Sequence, residues 1–495
     1  MISLRGLFKS SIIYGIGSAV LRIMTFVLLP IYTYEEVIVI EGVKTFVPRI
    51  PYGDYGVILA TIAILRACYS HGTGDSFLKL YGQADSKNKK NIISTYILYI
   101  LAIIAIASGV LLILNSVIGP QNETSLTGLL QKYLPHILLI VVCDTLNYRV
   151  IDILRIKNYA LYYMVGQIAG VICTLYLATH YVIDANMGLE GALLALLGGT
   201  FVTLIIFSPI LIQNINLPDF SIPDLKSMLQ LGVYFFPATL FFIAMTALDK
   251  YLLFWLLEGS SEWKDSVIGT YFAGAKFASV PMLMISAFNL GWQPFYLTNG
   301  ATEEALKKYQ KIGTIFTISV LGVVWFVGII MPMIAKSNIP FTDTPFVGNT
   351  YSGFENVLPI LLISHVFYAL YIINMPAIYL HNKQKWSPIF RMFGAVINII
   401  LNIILIPIYG IEGAAIATAV SYGLMFLFLF YKNQTWLPIK LAWNDIILLT
   451  LVISISIISF MYNMQGQYYI MGLVLLYICF LLYKHGIKNL VSLFK

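Results

Sequence analysis

Long apolar stretches alternate with short polar connectors along nearly the whole chain. A helix needs about 20 mainly apolar residues to cross a hydrocarbon layer roughly 30 Å thick. Fourteen stretches meet this requirement, with predicted bounds at 8–33, 54–81, 92–118, 133–155, 159–182, 189–213, 228–257, 267–297, 311–335, 355–380, 387–408, 411–432, 444–462 and 468–484. The pattern therefore predicts an all-α polytopic membrane protein with about 14 transmembrane helices.

The composition agrees with this prediction. Of the 495 residues, 59% are hydrophobic and 11% are charged, and the mean hydropathy is +0.84. A soluble protein of this length is far less apolar. The four cysteines lie within apolar runs and lack the spacing of a zinc site, so we predict no disulfide, metal site or cofactor. The first apolar stretch is longer than the core of a signal peptide and is predicted to be the first span.

Basic residues are distributed unequally between the predicted connectors. With a cytoplasmic N-terminus, the inner connectors and chain ends hold nineteen Lys and Arg residues, and the outer connectors hold five. Cytoplasmic connectors of membrane proteins carry such an excess of positive charge. We therefore predict that both termini are cytoplasmic. The formal net charge of +7 then reflects topology, and no nucleic-acid partner is predicted.

A short motif occurs twice at matching places. GLEGALLA begins at Gly188, where the sixth span starts, and GIEGAAIA begins at Gly410, where the twelfth starts, an offset of 222 residues. Small residues also serve close packing of membrane helices, but two copies after equivalent outer turns favour a duplication. Two halves of six spans share one orientation, so the axis relating them is predicted to lie along the membrane normal. The predicted division is an N-terminal lobe at 1–213, a C-terminal lobe at 214–433, and two further helices with a cytoplasmic tail at 434–495.

Charged residues interrupt several predicted spans. An ionisable group at mid-bilayer costs about 3 kcal/mol on insertion scales, so it normally faces the protein interior or a water-filled cavity. Arg22 shares a helix face with Gly15 and Ser18, and Lys250 shares one with Thr246. The full set is Arg22, Arg66, Lys79, Arg149, Lys250 and Lys276 with Asp75, Asp144, Asp152 and Asp249.

The second span carries polar groups on two faces. Arg66 shares one face with Ser70, whereas His71, Asp75 and Lys79 share the opposite one. Both faces cannot contact lipid, so this span is predicted to be buried between neighbours or to protrude at its inner end. His71 is predicted to be packed or involved in coupling and not catalytic.

Each charge also has a structural interpretation, as part of an ion pair that fixes helix register. Asp75 and Lys79 have the spacing of an intrahelical pair, and so do residues 149 and 152. Asp249 can pair with Lys250, cap a neighbouring group or face a basic residue of another span. Lys276 follows the small residues 273–275, which permit close approach of another helix.

Several stretches resemble the polysaccharide-transporter branch of the multidrug/oligosaccharidyl-lipid/polysaccharide exporter superfamily. These proteins are flippases for undecaprenyl-pyrophosphate-linked sugar repeat units. The stretches are LRIMTFVLLPIYTY at 21–34, YGVILATIAIL at 55–65 with GDSFLKLYG at 74–82, ALDKYLLFWLL at 247–257, SAFNLGWQPFYL at 286–297 and GIEGAAIATAVSYG at 410–423. With the arrangement of six, six and two spans, the resemblance covers nearly the whole chain.

The resemblance implies a transporter and not an enzyme, located in the bacterial cytoplasmic membrane. Such a flippase moves a lipid-linked oligosaccharide to the outer leaflet by alternating access through a cationic central cavity, with a lateral gap at spans one, two, seven and eight. The implied diphosphate-binding residues are Arg22, Arg66, Lys250, Lys276 and Lys79, and the coupling or charge-pairing residues are Asp249, Asp75, Asp144 and His71. The implied partners are undecaprenyl pyrophosphate-linked oligosaccharide and membrane lipids. Coupling to H⁺ or Na⁺ and association with a polysaccharide polymerase stay open.

One segment departs from the family pattern. Relatives join the first two spans by a short loop, whereas this chain inserts EEVIVIEGVKTFVPRIP at 35–51. The alternation of side chains around Glu41 and Gly42 predicts a small β-hairpin on the outer side.

Two other functions are alternatives to a flippase. A cation-coupled exporter of drugs or metabolites on the same fold should favour carboxylates, yet the spans hold six basic residues against four aspartates. A glycan polymerase or ligase should carry a large outer loop. The longest outer connectors here have fewer than twenty-one residues and no nucleophile–base pattern. An anionic, lipid-linked cargo is therefore favoured.

Overall fold

The computed structural model describes residues 26–40, 43–85, 88–122, 124–157, 159–338 and 345–486. These residues form α-helices and one hairpin. The elements are α1 (Leu29–Tyr32), β1 (Glu35–Ile40), β2 (Val43–Pro48), α2 (Tyr52–Ser70), α3 (Thr73–Gln83), α4 (Asn88–Ile118), α5 (Leu126–Lys132), α6 (Leu134–Lys157), α7 (Ala160–Ala178), α8 (Gly188–Gln213), α9 (Ile222–Leu256), α10 (Ser261–Ala278), α11 (Val280–Asn299), α12 (Glu303–Lys336), α13 (Leu358–Asn374), α14 (Pro376–Leu380), α15 (Trp386–Trp436), α16 (Trp443–Met461) and α17 (Gln467–Lys484).

The helices confirm the predicted fold class, an all-α polytopic membrane protein. Among the described residues, nine helices are long and apolar enough to cross a membrane, and a tenth crossing arises if the bent pair α10 and α11 counts as one span. Helix α15 has 51 residues and contains two predicted spans, 387–408 and 411–432. The backbone leaves helical geometry at Gly410, which lies between these two spans. Most of the first predicted span, at 8–33, lies outside the described residues.

The prediction of one continuous helix over 54–81 is wrong. Helix α2 ends at Ser70 and α3 begins at Thr73, with a break at His71 and Gly72. Both residues have left-handed φ angles, 46° and 68°, which end the helical hydrogen-bond pattern.

The predicted hairpin is confirmed, and its location on the outer side stays a prediction. Strands β1 and β2 are antiparallel, and the register pairs Glu35 with Pro48 and Ile40 with Val43. The two residues between the strands lie outside the described part of the chain. The pairing fits the alternating sequence, because successive side chains of a strand point to opposite faces.

The first glycine of the repeated motif has a similar φ angle in both copies. Gly188 has φ of 60° and Gly410 has φ of 56°, a region that glycine adopts without strain. The second glycine of each copy also packs tightly: a Cβ on Gly191 would lie 3.1 Å from the carbonyl oxygen of Tyr181, and one on Gly413 would overlap the Leu405 carbonyl. Backbone geometry therefore explains why the motif keeps both glycines. The predicted division into lobes at 213 and 433 stays a prediction.

Close helix packing characterises the first of two compact units, which comprises the described residues up to Gly269 with Gly348–Thr350. Helices α7 and α8 approach each other at small residues. A Cβ on Gly170 would lie 2.8 Å from the Gly199 carbonyl oxygen, and one on Gly199 would lie 2.6 Å from the Gly170 carbonyl oxygen. Small residues let membrane helices pack this closely.

Aromatic side chains dominate the core of the second unit, Thr270–Val347 with the described residues from Tyr351 onward. The indole of Trp292 is buried and donates to the carbonyl oxygen of Ile372 at 3.2 Å. It also meets Tyr309 edge-on, with ring centroids 5.4 Å apart. A buried indole N–H normally finds such an acceptor.

Candidate functional site

Helices α2 and α9, which carry several predicted site residues, contact each other at widely separated points. The hydroxyls of Thr61 and Tyr251 lie 2.5 Å apart. Just beyond the C-terminal end of α2, a Cβ on Gly72 would lie 2.7 Å from the carbonyl oxygen of Gly232. Both helices belong to the first compact unit, so the packing brings charged residues of the second and seventh predicted spans into one body.

Arg66 on α2 contacts two side chains of α6. Its Nη1 lies 3.4 Å from Oδ2 of Asp144, and its guanidinium carbon lies 4.5 Å from the ring centroid of Tyr148. The side chains of Arg66 and Asp144 are 31% and 22% exposed, so the pair is half-buried. Asp144 and Tyr148 are one helical turn apart and therefore present a carboxylate and a ring to the same guanidinium.

Lys250 and Asp249 form a buried ion pair on α9. The Lys250 Nζ lies 3.1 Å from Asp249 Oδ1 and donates to the carbonyl oxygen of Thr246 at 3.2 Å. The same carboxylate oxygen accepts from the backbone N–H of Lys250 at 2.9 Å. Lys250 is 6% exposed and Asp249 is 4% exposed. Pairing with Lys250 was one of the three roles open to Asp249.

A second buried pair lies on α6. Arg149 and Asp152 on α6 lie 3.8 Å apart, which confirms the predicted intrahelical pair. The hydroxyl of Tyr96 on α4 donates to Asp152 at 2.6 Å and also accepts from Arg149. A second guanidinium nitrogen of Arg149 donates to the Ser70 hydroxyl at 3.2 Å. This cluster therefore links α4 and α6 to the end of α2.

The break between α2 and α3 changes the predicted second face. His71 packs its ring 5.5 Å from that of Phe236, measured between centroids, and its Nδ1 lies 3.3 Å from the carbonyl oxygen of Tyr69. Lys79 lies on α3 and is exposed. The proposed face of residues 71, 75 and 79 assumed a continuous helix, and that assumption fails at Gly72.

The remaining predicted residues are distributed as follows. Lys276 lies on α10 in the second compact unit, with its Nζ 4.8 Å from the ring centroid of Phe272. Arg22 and the side chain of Asp75 lie outside the described residues, so the role of Arg22 and the pair of Asp75 with Lys79 stay predictions.

Three contributors were missed by sequence reasoning. Two of them are Tyr148 and Tyr96, and the available signal for Tyr148 is that it follows Asp144 by one helical turn and shares its face. The third is Glu35, for which the sequence pattern predicts only a place in the hairpin. Its two carboxylate oxygens accept from the backbone N–H groups of Asn349 and Thr350 at 2.8 and 2.6 Å. The sequence carries no local signal for a contact this remote.

The described charges of α2 and α9 are therefore balanced. The guanidinium of Arg66 and the ammonium of Lys250 each lie within 3.4 Å of a carboxylate oxygen. The guanidinium of Arg66 has five N–H donors, so it retains donors beyond its contact with Asp144. An anion that bound Arg66 would share the guanidinium with Asp144 or displace Asp144. An anion that bound Lys250 would share the ammonium with Asp249 or displace Asp249.

The fold is similar to those of solved transporters. The lipid II flippase MurJ in an inward closed conformation matches with a TM-score of 0.61 and 18% identity, over 98% of this chain and 100% of that chain. An inward-facing multidrug resistance MATE family transporter of the MOP superfamily matches with a TM-score of 0.57 and 15% identity, over 86% of this chain and 94% of that chain. MATE in complex with MaL6 matches with a TM-score of 0.58 and 17% identity, over 87% and 95%. No protein-family model and no curated protein matches the sequence.

These similarities define the structural class. The chain is a multi-pass membrane protein with the fold shared by MurJ and the MATE transporters of the MOP superfamily. The fold that the resembling stretches imply is thereby confirmed.

Proposed function

We propose that this protein is a flippase for undecaprenyl-pyrophosphate-linked oligosaccharide repeat units. It moves them from the inner to the outer leaflet of the bacterial cytoplasmic membrane, with both termini in the cytoplasm. The observation that carries the proposal is the extent of the likeness to a lipid II flippase, which covers 98% of this chain. The likeness to the two MATE structures covers 86% and 87%.

The basic residues of the spans support an anionic cargo. Guanidinium and ammonium groups form strong charge-assisted hydrogen bonds with phosphate oxygens. Arg66 and Lys250 are each held by a carboxylate, and the guanidinium of Arg66 keeps further N–H donors for a diphosphate. In the absence of cargo, Asp144 and Asp249 compensate the positive charge, which would otherwise be costly to bury. Lys276, Arg22 and Lys79 complete the proposed set.

The proposed transport is alternating access through a cationic central cavity. The diphosphate and glycan pass between the lobes while the isoprenoid tail stays in lipid. When the diphosphate binds Arg66, Asp144 loses its partner and becomes free to take up a proton or Na⁺. This exchange supplies a route for coupling, with Asp75 and His71 as the other candidates.

A multidrug exporter is the second candidate. The TM-scores of the MATE structures, 0.57 and 0.58, are close to the 0.61 of the flippase. In that case Asp144 and Asp249 would bind a cationic drug or coupling ion, and the basic residues would be structural.

Reconstitution in liposomes distinguishes the two functions. Liposomes containing the purified protein are loaded with a fluorescent undecaprenyl-pyrophosphate oligosaccharide, and the fraction reached by an impermeant quencher is followed with time. A flippase accelerates exchange of the labelled lipid between the leaflets of the liposome. In cells, we expect a strain that lacks the protein to accumulate lipid-linked repeat units in the inner leaflet. Efflux of an organic cation such as ethidium, without acceleration of the labelled lipid, would reject the proposal and favour the exporter.

A further inference from the structure

A cavity of about 640 Å³ lies where α15 ends and α16 begins, and none of the candidate site residues discussed above lines it. Lys440, Trp443, Asn444, Asp445 and Lys484 line it, together with apolar side chains. All of these residues belong to the second compact unit. Cavities of this volume accommodate small organic ligands. The predicted topology places the cavity at the cytoplasmic end of the helices.

Positive charge exceeds negative charge in the cavity lining. Lys484 and His485 share one oxygen of Asp445, with distances of 2.7 Å from Nζ and 2.8 Å from Nε2. Within the described part of the chain, Lys440 makes no ion pair or hydrogen bond. Among the lining residues, the two lysines and one aspartate leave one net positive charge, which matches the single negative charge of a phosphodiester.

The lining also holds further hydrogen-bond donors. An ammonium has three N–H groups, so Lys484 can contact Asp445 and a second anion together. The side-chain amide of Asn444 has no hydrogen-bond partner in the described residues. Helix α16 begins at the cavity and has no side-chain N-cap, so its first backbone N–H groups add to the attraction for an anion.

Apolar surface continues from this charged end along α16. Trp443 packs on Phe430 at the cavity, with ring centroids 5.5 Å apart. The next exposed apolar side chains of the helix are Ile447, Leu448 and Leu451. Tryptophan is enriched where membrane helices meet the head-group layer. A ligand with one anionic group and hydrocarbon chains fits both parts of this surface.

We propose that this cavity binds the head group of an anionic phospholipid, with its acyl chains along α16. Inorganic phosphate would use the donors but not the apolar strip. A zwitterionic head group would place a second cation beside Lys440, which is unfavourable. The proposal concerns a lipid site separate from the transported cargo and does not depend on flippase activity.

Native mass spectrometry of the full-length protein in detergent tests the proposal. Short-chain phosphatidylglycerol and phosphatidylcholine are titrated separately onto the delipidated protein. We expect tighter binding of phosphatidylglycerol, and a loss of about fivefold in affinity for Lys440→Gln, which corresponds to about 1 kcal/mol per lysine near a charged lipid surface. Lys440→Arg should bind as the unchanged protein does.

Lys307→Gln is the matched control. It removes the same charge from an exposed residue of α12 on the same predicted side, and should leave the affinity unchanged. Equal binding of the two lipids would overturn the proposal, as would an unchanged affinity in Lys440→Gln. Full displacement of phosphatidylglycerol by millimolar inorganic phosphate would replace it with a site for a free anion.

Discussion

The side chain of Glu35 accepts a hydrogen bond from the backbone N–H of Thr350, with 2.6 Å between Oε1 and N. The second carboxylate oxygen accepts from the next N–H group, that of Asn349, at 2.8 Å. Glu35 is only 6% exposed, so neither bond competes fully with water. The inserted hairpin is therefore fixed to the segment Gly348–Thr350 by its first residue, and both segments lie in the same compact unit.

Glu35→Gln should lower the free energy of unfolding by about 1–3 kcal/mol, the range for hydrogen bonds to a buried charged group. The amide keeps one acceptor but places an NH₂ group opposite a backbone N–H. Thermal unfolding of the purified protein in detergent measures the change. Glu36→Gln is the control, because the Glu36 carboxylate is 54% exposed and lies 3.8 Å from Arg49. A surface pair of this kind contributes little, and equal effects of the two changes would contradict the proposed anchoring.

Gly72→Ala should destabilise the contact between α2 and α9. The new Cβ would lie 2.7 Å from the Gly232 carbonyl oxygen and 2.9 Å from the Phe236 nitrogen, and φ of 68° is unfavourable for alanine. We expect a loss of about 2–4 kcal/mol, since backbone strain and steric overlap add. Gly82→Ala is the control because no atom lies within 4 Å of its Cβ. Fluorescence-detected size-exclusion after heating compares the variants, and similar melting temperatures would show that the break tolerates a side chain.

Arg149→Met should lower stability by about 3–5 kcal/mol, because it leaves the buried carboxylate of Asp152 without its cation. The double variant Arg149→Met/Asp152→Asn should recover much of this loss, since it removes both charges. A double-mutant cycle on melting temperature, completed by Asp152→Asn, measures the coupling. Additive effects would mean that the two groups are not coupled energetically.

The fold was largely predictable because its main signals are local. Span lengths follow from apolar runs, and the hairpin follows from alternation around a turn. The repeated motif predicted matching helix starts, and both first glycines have φ near 60°. The break at Gly72 was not predicted, because isolated glycines such as Gly72 and Gly74 are compatible with a continuous membrane helix. Its close contact with Gly232 depends on packing of a distant helix.

The candidate site was predictable in residue type but only partly in pairing. Arg149 and Asp152 are three residues apart on one helix, so their pairing could be read from spacing. Arg66 and Asp144 are 78 residues apart, and no periodicity links them. The cost of burying charge predicts that such a residue has a partner, but only the tertiary structure identifies it.

Variants of the pair Asp249 and Lys250 on α9 can distinguish charge compensation from cargo binding. Because Lys250 and Asp249 are buried together, Lys250→Ala alone should reduce both stability and transport. The double variant Asp249→Asn/Lys250→Gln removes both charges, so its membrane abundance should stay near that of the unchanged protein. If Lys250 binds the diphosphate, the double variant should flip the labelled lipid at least about tenfold more slowly than the unchanged protein does. This difference in rate corresponds to about 1.4 kcal/mol in the activation free energy.

Lys250→Arg keeps the charge and should retain part of the activity, although a guanidinium does not reproduce the compact ammonium. Flipping rates in liposomes are normalised to the amount of folded protein, so that a loss of stability is not mistaken for a loss of transport. Arg149→Met/Asp152→Asn serves as the comparison, because it also neutralises a buried pair but one that contacts Tyr96 and Ser70. Normal flipping by Asp249→Asn/Lys250→Gln would show that Lys250 has a structural role, and the proposed cation at this position would have to be abandoned.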